Sequence, residues 1–142
     1  MTESPPPGVF EHRAPSVLIV EDDVAVRSTL AAILDDEGWQ ILIAPNCFDA
    51  LATLDHHEPD VVVLDWMTPV LDGRSFLATL RGGRQRLLPV LVISAGRVTE
   101  DTARASGADA YLDKPFDIDE LVNVVHELVN RNKSDPRPSA RH

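Results

Sequence analysis

Val61-Val62-Val63-Leu64-Asp65 is the stretch that decides the fold: four consecutive apolar residues, three of them β-branched, ending in a carboxylate. A short continuous apolar run suits a strand buried on both faces, as in a parallel sheet covered by helices. Similar runs occur at Val17–Val20, Val90–Ile93 and, more weakly, Ala110–Leu112, and a fifth at Gln40–Ala44 follows Gly38-Trp39. Helical spacing fills the gaps. Val26, Leu30, Ile33 and Leu34 share one face, with Gly38 suited to end that helix. Cys47, Ala50, Leu51 and Leu54 share another, with Asn46 as N-cap. Phe76, Leu77 and Leu80 mark a third helix from about Gly73, and Ile118, Leu121, Val122, Val125, Leu128 and Val129 mark the last. Between them, Thr99–Ser106 has little beyond alanines and Val98 to bury, so it should be the most weakly anchored helix. Strand and helix thus alternate five times. Strands joined by single helices run parallel with right-handed crossovers, which makes this an α/β doubly wound sandwich.

The remaining sequence bounds the domain. The chain has 142 residues, 44% of them apolar, enough for one core. Residues 1–14, with three consecutive prolines, and 131–142 show no hydrophobic periodicity and read as flexible tails around a domain of residues 15–130. A net charge of −10 argues against a sequence-independent grip on nucleic acid, and no helix-turn-helix candidate follows the domain. No apolar run reaches membrane-spanning length. The single cysteine, Cys47, allows no intrachain disulfide and reads as a small buried hydrophobe, so a cytoplasmic setting is expected.

Ligands of open parallel sheets bind beyond the carboxyl ends of the strands. Strand 1 leads into Glu21-Asp22-Asp23, strand 3 ends in Asp65, strand 4 in Ser94, and strand 5 is followed by Lys114-Pro115. With strands 1, 3, 4 and 5 side by side, these groups share one rim. Crowded carboxylates repel, and a hard cation with oxygen ligands relieves them. A carboxylate beside such an ion can attack phosphorus while an ammonium neutralises the transferring group. Asp23 is set apart as a helix start that could pair with Arg27. Asp72-Gly73 is a turn signal, His56, His57 and His126 lack partners at ligand spacing, and Trp66 is expected to be partly exposed.

The segments LIVEDD, VVVLDWMTPVLDG, VLVISAG and YLDKPF resemble, in order and spacing across residues 16–130, the signature stretches of the receiver domains of two-component response regulators. The resemblance implies a flavodoxin-like, five-stranded parallel sheet of order 2-1-3-4-5. It implies Asp65 as phosphoacceptor, Glu21 and Asp22 as the acidic pair, and the Met67 backbone carbonyl as a further ligand to magnesium or manganese. Ser94 stands at the hydroxyl position, Lys114 at the lysine that contacts the phosphoryl group, and Tyr111 at the aromatic switch. The lysine–proline bond is often cis, which X–Pro bonds tolerate. Glu21 replaces the more frequent Asp, Thr68 stands where Met is usual, and Met67 and Gly96 occupy variable positions that give opposite cues on acyl-phosphate lifetime. The implied partners are a histidine kinase or histidine phosphotransfer protein, and a downstream protein read through the face of helix 4, strand 5 and helix 5.

Two other classes are weaker. A receiver fold used purely as a binding module usually lacks part of the acidic pair, acceptor or lysine, and all are present. A phosphatase of the haloacid-dehalogenase type wants a second Asp two residues after the nucleophile, where this chain has Met67.

Overall fold

The computed structural model describes residues 14–66, 72–96 and 98–134. The expected ligand Met67 and the exchange at Thr68 lie outside the described residues, as do most of both segments read as tails. Five strands, β1 (Ser16–Val20), β2 (Gln40–Ala44), β3 (Val61–Asp65), β4 (Val90–Ser94) and β5 (Ala110–Asp113), form one parallel sheet in the order β2-β1-β3-β4-β5. Helices α1 (Val24–Asp36), α2 (Cys47–Leu54), α3 (Gly73–Arg81), α4 (Glu100–Ala105) and α5 (Ile118–Ser134) connect and follow them. The alternation of side chains along each strand divides the core in two. Leu18, Val20, Val62, Leu64, Val90 and Val92 pack with α2, α3 and Ala103 of α4. Val17, Ile19, Val61, Val63, Leu91 and Ile93 pack with α1 and α5. Both faces being covered is why β3 and β4 carry no polar residue before their last positions, and β1 none after Ser16.

Helix starts follow local chemistry. Asp23, Asn46, Asp72 and Thr99 each accept a hydrogen bond at the N-terminus of the helix that follows, from the N–H groups of Val26, Asp49, Ser75 and Thr102. Such caps are worth about 1 kcal/mol each. The turn signal at Asp72 is therefore a cap. Asp23 does begin α1, but Arg27 pairs elsewhere: its Nη1 donates to the Glu21 carbonyl at 3.0 Å, because the Asp23 carboxylate is turned onto Val26. Gly38 follows α1 with φ +95°, the left-handed conformation that ends helices. Helix α4 has six residues and only Ala103 is buried, as its composition predicts.

Two expectations need amendment, and a third, the surface reading of His126, gains a detail. Helix α5 runs to Ser134, beyond the boundary at residue 130. Trp66 is buried, at 7% exposure, because it lies over Gly73: a Cβ there would stand 2.8 Å from the indole Cε3. His126 is exposed, but its ring packs edge-on against buried Trp39 at a centroid distance of 5.4 Å. A long-range tie also went unpredicted. Arg81, at the end of α3, donates to the carbonyls of Arg86, Leu88 and Gly107 and bonds Asp109 Oδ2 at 2.8 Å. It thereby fixes the turn between α4 and β5.

Candidate functional site

Register brings the strand ends together. Val20 pairs with Leu64, Asp65 with Ile93, and Ser94 with Asp113. Ladder bonds continue past the strands: Glu21 N–H donates to the Ala44 carbonyl, Trp66 N–H to Ile93 and Lys114 N–H to Ser94, at 3.1, 3.0 and 2.8 Å. Glu21, Asp65, Ser94 and Lys114 are therefore held by backbone at one rim. Glu21 and Ser94 are 2% and 0% exposed, Asp65 is buried, and Asp22 is open to solvent.

Lys114 Nζ lies 2.9 Å from Asp65 Oδ2 and 3.4 Å from Glu21 Oε1. Burial alone would pull the ammonium down, but the hydrogen bond and charge of Asp65, with Glu21 behind it, outweigh this and hold Lys114 above the ordinary lysine value. Glu21 goes the other way for a carboxyl. Burial, a hydrogen bond to Asp65 and the charge of Asp65 push its pKa up from 4.5 to about 7. One ammonium does not neutralise two buried carboxylates.

Glu21, Asp22 and Asp65 each offer a carboxylate oxygen, and these oxygens lie within 4.8 Å of one another. An all-oxygen set with surplus negative charge, open to solvent on the Asp22 side, fits a hard divalent cation that keeps some of its water. The raised Glu21 carboxyl is the electrostatic counterpart: a cation there would let it ionise.

The switch candidates meet on the other flank of Asp65. The Tyr111 hydroxyl is 2.8 Å from the Val98 carbonyl oxygen and 2.6 Å from Asp113 Oδ1, and its one proton serves these acceptors in turn. Burial and then the Asp113 carboxylate raise its pKa from 10 to about 12, while a hydrogen bond with Ser94 pulls the other way. Tyr111 is thus directed at Ser94 and tethers the start of the α4 segment. Asp113 was not singled out in the sequence, and Val98 only as an apolar residue to bury; period-two spacing from Tyr111 would have flagged Asp113. The Lys114–Pro115 peptide is cis.

Residues 17–126 match the family model of the response regulator receiver domain. Response regulator Rre1 of Synechocystis is 39% identical over 123 residues, covering 84% of this chain and 53% of that protein. MprA of Mycobacterium tuberculosis is 40% identical over 119 residues, covering 82% and 51%. The chain thus spans about half the length of these curated relatives. The receiver domain of a Francisella response regulator superposes with a TM-score of 0.78 at 36% identity, covering 83% of this chain and 98% of that one. A receiver domain from a Pseudomonas aeruginosa sensor histidine kinase, solved with magnesium coordinated in its active-site cleft, shares the fold with a TM-score of 0.76 at 23% identity, covering 82% and 98%.

Proposed function

The chain belongs to the response regulator receiver family, and on that premise we propose that Asp65 accepts a phosphoryl group from a phosphohistidine donor, in a histidine kinase or a phosphotransfer protein. An Asp65 carboxylate oxygen attacks phosphorus, the P–N bond breaks, and the imidazole leaves with its electron pair; the product is an acyl phosphate. The observation that carries this reading is the contact of Asp65 with Lys114 at 2.9 Å, within a group of three carboxylates, Asp65 among them, whose oxygens fall within 4.8 Å of one another. Structural ion pairs seldom gather that much like charge at strand ends of an open parallel sheet, where ligands bind.

Glu21, Asp22 and Asp65 would hold magnesium, with the Met67 carbonyl as a further ligand by family resemblance. The ion supplies charge neutralisation for the transferring group. Lys114 is within reach of Asp65 and can follow a phosphoryl oxygen, and the Ser94 hydroxyl can donate to one. Drawing Ser94 toward the phosphoryl group would remove it from Tyr111 and loosen the tether to Val98. That biases a pre-existing equilibrium in the poorly anchored α4, so the α4–β5–α5 face is where a downstream protein would read the state. The buried lone thiol Cys47 accords with work in the reducing cytoplasm.

Incubation with a small amido- or acyl-phosphate donor, with and without magnesium, followed by intact mass, tests the chemistry. One added phosphoryl group that requires metal and disappears in Asp65→Asn is expected. Labelling that survives this substitution refutes it. Metal binding has its own readout, titration of the buried Trp66 fluorescence by magnesium, which Glu21→Ala should weaken.

A further inference from the structure

The corner between β1 and α1 carries two of the three clustered carboxylates, Glu21 and Asp22. Glu21 is fixed there at three atoms. Its N–H donates to the Ala44 carbonyl at 3.1 Å, its Oε2 accepts from the Asp23 N–H at 3.2 Å, and its own carbonyl accepts from Arg27 Nη1 at 3.0 Å. The first bond belongs to the sheet and the second to the turn itself. Only the third reaches back from a helix, across six residues, and joins the two elements that meet at the corner. Asp22 is exposed, and its place depends on how firmly Glu21 and Asp23 are held on either side of it.

Arg27 stands at an unfavourable point for a cation. It lies in the first turn of α1, the positive end of the helix dipole, and no acidic residue in that turn offsets it. Among the described residues it forms no ion pair, although Asp22 and Asp23 are close in sequence. The Asp23 carboxylate is held on the Val26 N–H. Helical side chains lean toward the N-terminus, so from this position the guanidinium extends over the preceding turn onto the Glu21 carbonyl. It thereby acts on a bound cation in two opposite ways. Its charge repels the ion, and its bond to Glu21 steadies two of the ligands.

We propose that Arg27 is a positioning residue for the divalent-cation site: it holds the Glu21 backbone so that the Glu21 and Asp22 carboxylates stay in reach of Asp65, and this outweighs the repulsion of its own charge. The proposal rests on the reading of Glu21, Asp22 and Asp65 as that site. Groups that orient metal ligands without touching the metal contribute roughly 10- to 100-fold in affinity. Arg27 acts through the backbone of its ligand residue, so the low end, about tenfold, applies.

Calorimetric titration of magnesium into the full chain at one fixed pH tests this. Arg27→Met removes the charge and the donor while keeping an apolar stem, and it should weaken binding about tenfold. Arg27→Lys keeps one donor for the one acceptor and should recover most of the loss. In the metal-free protein, amide exchange at Glu21 and Asp23 should rise in Arg27→Met, while exchange at Leu34 in the same helix stays unchanged. Unchanged or tighter binding in Arg27→Met overturns the proposal, tighter binding being what the loss of a cation alone would give. So does faster exchange all along α1, which makes Arg27 a support of the helix only. Wild-type protein that takes up no magnesium refutes the cation site itself and the proposal with it, a result told apart from the others because no variant is needed to see it.

Discussion

Replacing Glu21 by Gln should stabilise the metal-free protein above neutral pH. The Glu21 carboxyl is 2% exposed, and its pKa rises from 4.5 to about 7 through burial and then through Asp65. Between those values the folded chain holds a proton that the unfolded chain has released, so stability falls as pH rises from about 4.5 and levels off above about 7. At about 1.4 kcal/mol per pH unit of separation, the loss is on the order of 3–4 kcal/mol. Gln imitates the protonated acid. Urea titrations in chelator should therefore find Glu21→Gln close to wild type near pH 5 and about 3–4 kcal/mol more stable near pH 8. Magnesium should close this gap at pH 8 and, at about a thousandfold excess over Kd, reverse the order, since ligand binding adds RT ln(1 + [L]/Kd), about 4.1 kcal/mol at that excess. Its effect on wild type should grow with pH, because Glu21 must surrender its proton to bind. A variant whose stability falls with pH as steeply as that of wild type would refute the electrostatic account of this site.

Gly73→Ala should cost about 1–3 kcal/mol by overpacking against Trp66 and shift the indole emission, despite alanine's better helix propensity; a more stable variant would contradict the contact. Arg81→Ala should cost about 2–3 kcal/mol in urea titrations, and Arg81→Lys should recover little of it, because one ammonium cannot serve carbonyls on separate segments as the planar fork does. Tyr111 is the only tyrosine, so ultraviolet difference absorbance reads it directly. Ionisation should be centred near pH 12 rather than 10, and Asp113→Asn should bring it down; a step centred at 10 in the folded protein would contradict the tether. Tyr111→Phe should cost about 0.5–1.5 kcal/mol and raise amide exchange around Val98.

Much of the molecule was legible because its signals are local and redundant. Apolar runs such as Val61–Leu64 can only be buried on both faces, and their ends, read in order, list the candidate site residues. Glu21, Asp65, Ser94 and Lys114 were found together because ladder bonds fix them, and the sheet leaves them one place to be. What escaped depends on distance rather than pattern. Arg81 and Asp109 are 28 residues apart, and nothing local announces that this arginine turns inward. Trp66 looked like a residue leaving a strand for solvent; its burial is decided by a missing Cβ on another element. Arg27 stood four residues from Asp23, a spacing that suggests pairing, but capping had already claimed the carboxylate. The sequence pattern also understated α5, whose apolar stripe stops at Val129 while its backbone continues to Ser134.

The contact between Trp66 and Gly73 also makes the two positions one unit of substitution. A β-carbon at 73 is intolerable only while the indole occupies that space, and a smaller ring at 66 would leave a void that the β-carbon could fill. Neither change should therefore be judged alone. In a lineage of such chains the two sites would be expected to drift in step, and the residue after Asp65 would be chosen partly by the first residue of α3.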